Sequence, residues 1–169
     1  MSEAARSRAR STALASTRLI GALALLATGG IHLEQYLVAD FRVVPTIGTL
    51  FLVNFVGGTI LGLCLLIPAR LFAGRIRRLA DTIVAVAGCA VASGALAALL
   101  ISEHTPLFGF MEHGYRLEIV IAMVAEAVAI VALGTFLALS YADCGARGRE
   151  RPREGGINPA PPPAAPGSH

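Results

Sequence analysis

Lysine and tryptophan are absent from this chain, and only 15% of its residues carry charge. A water-soluble domain keeps roughly a quarter of its residues charged to cover its surface, so a soluble globular fold is excluded. The three cysteines, Cys64, Cys89 and Cys144, have no CxxC spacing, and two of them fall inside apolar runs. A disulfide framework is therefore not expected, and Cys64 and Cys89 read as apolar packing residues. No P-loop, dinucleotide fingerprint, GxSxG, HExxH or acidic glycosyltransferase-like cluster is present. Nor is there an inverted repeat of the kind that builds secondary transporters. These absences lean the expectation away from an enzyme.

What the chain has in abundance is apolar residue, 55% of the total, with a mean hydropathy of +0.68. Surface of that kind has to face lipid. All 14 basic residues are arginine, and with the many Ala, Gly and Val residues this is the composition of a GC-rich bacterium. The pI near 9.1 suggests nucleic acid at first sight. The arginines sit at the edges of apolar runs, however, where membrane orientation accounts for them, and nucleic acid is not an expected partner.

A hydrocarbon core of about 30 Å needs around 20 apolar residues in helix, and four runs supply them. The spans fall at about residues 13–38, 46–67, 79–101 and 117–140, within a transmembrane domain covering 13–141. Residues 1–12 read as a basic cytoplasmic tail and 142–169 as a disordered Arg/Pro-rich one. Helix is required because backbone polar groups in lipid must be satisfied within the segment. Pro45 suits the first turn of the second span, Pro68 closes it and Pro106 follows the third. The short connections predict an all-α transmembrane four-helix bundle, up-down-up-down.

Orientation follows from the arginines. Twelve lie before Leu19, where the apolar run of the first span begins, between spans two and three, or after span four; only Arg42 and Arg116 lie on the other side. This bias puts both termini in the cytoplasm of a bacterial plasma-membrane protein. The first span lacks an A-x-A cleavage pattern after Ala27, and removing it would break the charge pattern, so it is expected to be retained.

Small residues crowd the spans. Gly58 and Gly62 form a small-xxx-small pair beside Gly57, and span three carries Gly88, Gly94 and many alanines, which predicts it to be the most enclosed helix. These faces fit packing within one chain, a homo-oligomer or docking into a larger membrane complex equally well. Asp81 follows Arg77 and Arg78 at helical spacing and reads as a neutralising interfacial pair.

The candidate chemistry gathers on the outer side. His32 lies about 20 Å along its helix from Leu19, in the outer third of the membrane. Glu126, ten positions after Arg116, lies about 15 Å deep and close to the midplane. Intramembrane ionisable residues are functional candidates by default. For His32 the alternatives are a ligand site and a structural hydrogen bond to a neighbouring helix. For Glu126 they are proton relay or cation contact, and a carboxyl protonated at neutral pH that joins helices by hydrogen bonding. Asn54, at a similar depth on span two, is a candidate hydrogen-bond partner for Glu126. His104, Glu112 and His113 flank the apolar loop Phe108-Gly109-Phe110-Met111. With His32 they are candidate ligands for copper or zinc, or for a haem between His32 and His104.

The stretch Gly30-Ile-His-Leu-Glu-Gln-Tyr36, with Val44-Pro-Thr-Ile-Gly-Thr-Leu-Phe-Leu-Val-Asn54 and Leu107-Phe-Gly-Phe-Met-Glu-His113, resembles small four-span integral membrane proteins of actinobacteria. The resemblance covers residues 19–140 and implies a fold and a location, with no assigned activity. A looser likeness to DoxX-like four-helix membrane proteins rests on span count. The leading expectation is a non-enzymatic membrane protein without a cofactor, whose outer His/Glu mouth binds a metal, a small ligand or a partner protein. The alternative is a redox or proton-handling protein with a haem, quinone or metal site using His32, His104 and Glu126. A third is an accessory subunit of a larger complex.

Overall fold

The computed structural model describes residues 2–67, 74–106 and 116–149, without the side chains of 74, 75 and 143–149. Four helices form: α1 (Glu3–Leu37), α2 (Ile47–Leu66), α3 (Gly74–Ser102) and α4 (Leu117–Arg149). All four are long and apolar enough to cross a membrane. The chain is thus an all-helical bundle with the character of a multi-pass membrane protein.

Three helix ends differ from the sequence expectation. The basic segment 1–12 is helical from Glu3, because Ser2 caps the helix and Glu3 sits at the positive end of its dipole. The Ser2 hydroxyl accepts from the Ala5 N–H at 3.4 Å. The Arg10 guanidinium then donates to the Leu139 carbonyl at 2.9 Å, tying that first stretch of α1 to α4. At 35 residues, α1 is about 52 Å long, well beyond the hydrocarbon thickness. Helix α4 runs on through Arg149, into the segment 142–169 expected to be disordered. Residues 150–169 lie outside the described residues, as do Pro68 and the loop around Phe108. Helix α3 likewise starts at Gly74, ahead of residue 79.

Helix α1 packs most extensively on α2 and α4, while α3 packs on α4 and α2 and barely touches α1. The most enclosed helices are therefore α1 and α4, each 33% buried over its apolar window, against 22% for α3. This corrects the expectation for α3. Its small residues form a face too broad for one contact. Ala85, Ala92 and Ala95 are buried, but Ser93 and Gly94 are exposed. A Cβ on Gly94 would meet nothing within 4 Å among the described residues, so Gly94 takes no part in the helix packing they show.

The other three glycines do. A Cβ on Gly58 would stand 2.9 Å from the Leu25 carbonyl oxygen, and one on Gly62 would stand 3.0 Å from that of Ala22. Backbone approach this close is what allows α1 and α2 to gain van der Waals contact where no hydrophobic drive operates. Gly88 seats α3 against Leu25 and Leu133, two side chains of the bundle's centre.

Between α1 and α2 the chain makes a 3₁₀ turn, Phe41–Val43, that tucks the buried Phe41 under the helix ends. Gly48 is required beneath it, since a Cβ there would come within 2.6 Å of the Phe41 carbonyl oxygen. Thr46 takes φ 67°, ψ −56°. With the Ile47 N–H donating to the Pro45 carbonyl at 2.7 Å, it forms a γ-turn of the rare, strained kind. Pro45 accordingly lies two residues ahead of α2, outside its first turn.

Near the chain termini, Arg18 joins three helices. Its guanidinium donates to the Ile67 carbonyl at 2.9 Å, at the end of α2, and lies 3.4 Å from the Asp81 carboxylate on α3. Arg77 adds the expected contact within α3, at 3.5 Å from Asp81. Arg78 is exposed.

Candidate functional site

Two ionisable side chains that the sequence places in apolar helices meet inside the bundle. His32 on α1 and Glu126 on α4 are 8% and 1% exposed. The Nε2 atom of His32 lies 3.9 Å from Oε1 of Glu126. That gap is longer than a direct hydrogen bond and of the length that a shared third atom spans.

The imidazole is held by its own helix. Nδ1 lies 2.8 Å from the Thr28 carbonyl oxygen, one turn back. A carbonyl only accepts, so Nδ1 carries the hydrogen and a neutral imidazole presents a lone pair at Nε2. The ring also leans on Phe51 of α2, with centroids 5.3 Å apart at 45°. Phe51 stacks in turn on Phe41, at 4.9 Å and 19°. The 3₁₀ turn and two helices thus fix the orientation of one histidine.

Glu126 is the more weakly satisfied partner. Its second oxygen, Oε2, is buried and has no hydrogen-bond partner among the described residues. Asn54 lines the same cavity as Glu126 but forms no hydrogen bond with it, which corrects that sequence expectation. The helices stand far enough apart at this level to leave space between the two side chains instead of a contact.

That space is a cavity of about 110 Å³, walled by all four helices and the 3₁₀ turn. Its polar lining comes from His32, Gln35, Asn54, Ser102, Glu118 and Glu126; Phe41, Phe51, Leu99 and Ile119 are among the apolar residues. Glu118 is exposed, so it marks the mouth, and Glu126 lies two helical turns further along α4. Pockets that hold drug-sized ligands run to about 300–1,000 Å³. A cavity of this size holds several waters or one small polar molecule.

His104 is not part of this site. It is exposed, and its Nδ1 lies 2.9 Å from the Leu100 carbonyl oxygen. Glu112 and His113 lie outside the described residues. Among the described residues no group of three or more His, Cys, Asp or Glu side chains is placed to hold a metal ion.

Sequence reasoning missed Gln35, Ser102 and the two phenylalanines. Gln35 and Ser102 sit near helix ends, where polar residues ordinarily mark an interface. Phe41 and Phe51 carry no signal that separates a cavity wall from a lipid-facing ring. Thr28 had one available: it stands four residues before His32, the spacing at which a histidine reaches its own helix's carbonyl. No family model matches the chain, and no curated protein or solved structure does either.

Proposed function

We propose that this chain is an integral membrane protein of the bacterial plasma membrane. It crosses the bilayer four times, up-down-up-down, with both termini in the cytoplasm. Its cavity opens toward the outer side and binds a small polar ligand against His32 and Glu126, without chemical turnover. Four apolar helices and the arginine bias support the topology. The observation that carries the binding role is the His32–Glu126 pair, two buried polar groups 3.9 Å apart on one cavity. A side chain of this kind is costly inside a membrane protein and is kept where a ligand or partner compensates it.

The test is ligand-induced stabilisation of the protein in lipid nanodiscs, scanned with a panel of small polar molecules. A ligand that binds the folded state raises its unfolding midpoint by mass action. The wild type should respond to at least one panel member, and a Glu126→Leu, His32→Phe double variant to none. Equal responses from both proteins would place binding elsewhere and end this reading.

Proton handling draws on the same pair, because a shared water could pass a proton between Nε2 and Oε1. The distribution of polarity favours binding over conduction. Among the described residues, buried polar side chains end at Thr28 and Glu126. Beyond them lie Leu25, Ala129 and Leu133, all fully buried and apolar. A proton route across the bundle has no next step there.

A further inference from the structure

Resting on the reading that this cavity binds a small polar ligand, we propose that its occupant is a compact organic cation of the primary-ammonium class, held between Glu126 and His32. The first reason is hydrogen-bond polarity. With Nδ1–H committed to the Thr28 carbonyl, the neutral imidazole can only accept at Nε2, and a carboxylate only accepts. With Glu126 ionised, two acceptors face one space, and that arrangement favours an occupant that donates twice from a single atom. One nitrogen about 2.8 Å from each bridges a 3.9 Å gap.

The second reason is charge. Among the described residues, the cavity lining contains two carboxylates, Glu126 inside and Glu118 at the mouth, and no arginine. The side chain of Glu126 is only 2% exposed, and Oε2 has no partner among the described residues. A carboxylate buried so incompletely compensated is costly, and a cation removes that cost where water or an alcohol does not. Glu118 biases entry in the same direction.

The third is surface and size. Phe51 leans on His32, Phe41 stacks on Phe51 and both line the cavity, so aromatic rings able to attract a cation through their quadrupoles lie close to the pair. The volume of about 110 Å³ accepts an ion of methylammonium size.

The experiment is calorimetric titration of the wild-type protein, in nanodiscs of zwitterionic lipid, with methylammonium, methanol and acetate. Methylammonium should bind at least tenfold more tightly than methanol, and acetate should not bind. Glu126→Gln, checked for helix content and monodispersity, should lose that preference. If it does not fold, the wild type's own ranking of the three probes decides the matter. Equal binding of methanol and methylammonium, or a preference untouched in folded Glu126→Gln, overturns the cation and leaves the small-ligand site standing. No binding by any of the three overturns the cation and removes the support for the site as well.

Discussion

The Nε2 atom of His32 stands 3.9 Å from Oε1 of Glu126, across a cavity that all four helices wall. The two residues come from the helices that are most enclosed, α1 and α4. The pair therefore sits where the bundle is best packed, next to a space that the packing leaves open.

This arrangement predicts a conflict between stability and binding at Glu126. Glu126 Oε2 is a buried acceptor without a partner among the described residues, and an apolar side chain of similar size removes its desolvation cost of about 1–3 kcal/mol. Glu126→Leu should therefore keep or raise the midpoint of denaturation in mild detergent while abolishing ligand response. A loss of more than about 2 kcal/mol, of the size expected when a satisfied buried partner is removed, would identify Glu126 as structural glue between helices.

The glycines make a sharper comparison. Gly58→Ala places a Cβ 2.9 Å from a main-chain oxygen of α1 that has little freedom to move. Overpacking of that kind costs about 1–3 kcal/mol. Gly94→Ala meets nothing within 4 Å and gains helix propensity, so it should be neutral or stabilising by about 0.5–1 kcal/mol. Parallel detergent denaturation of the two variants is the check. Destabilisation by Gly94→Ala would mean that this face is covered by another chain.

Arg18 and Asp81 should be coupled. Their contact at 3.4 Å joins α1 to α3, two helices that otherwise barely touch. A double-mutant cycle with Arg18→Ala and Asp81→Ala should return a coupling of about 0.5–3 kcal/mol, the range for contacting residues. Additivity within error would assign Arg18 to capping the end of α2 alone, through Ile67.

At Thr46 the backbone itself is the test. A β-branched residue at φ 67° is strained, by about 1–3 kcal/mol for such a conformation. Thr46→Gly should relieve part of this and stabilise the folded protein. A destabilised variant would show that the threonine side chain contributes more than the strain removes.

Topology is open to labelling. In a cysteine-free background, single cysteines at Val43 and at Ser2 should react from opposite faces in intact cells. A membrane-impermeant maleimide should label position 43 and spare position 2. The reverse pattern would invert the proposed orientation and place the cavity mouth in the cytoplasm.

Much of the candidate site was legible as chemistry before it was legible as geometry. His32 and Glu126 stand out in the sequence because an ionisable residue inside an apolar run is expensive. Their meeting does not follow from that, since it depends on how α1 and α4 are rotated about their axes. Asn54 was correctly directed toward the same interior space, yet it forms no bond with Glu126. His104 carried the same chemical signal as His32, but it lies beyond the last turn of α3 and is exposed.

The sequence by itself determined four helices and the stretches of chain that are able to lie in lipid. Those follow from residue composition and length, because a backbone in hydrocarbon has no alternative partner for its polar groups. It also singled out Gly58 and Gly62, whose spacing is a property of one helix. Only the tertiary structure decided that α1 rather than α3 is enclosed, that Gly94 is idle, and that Arg18 reaches Asp81. It alone set a histidine and a glutamate on one cavity, because helix rotation and side-chain contact between distant segments are fixed by packing, which no local pattern encodes.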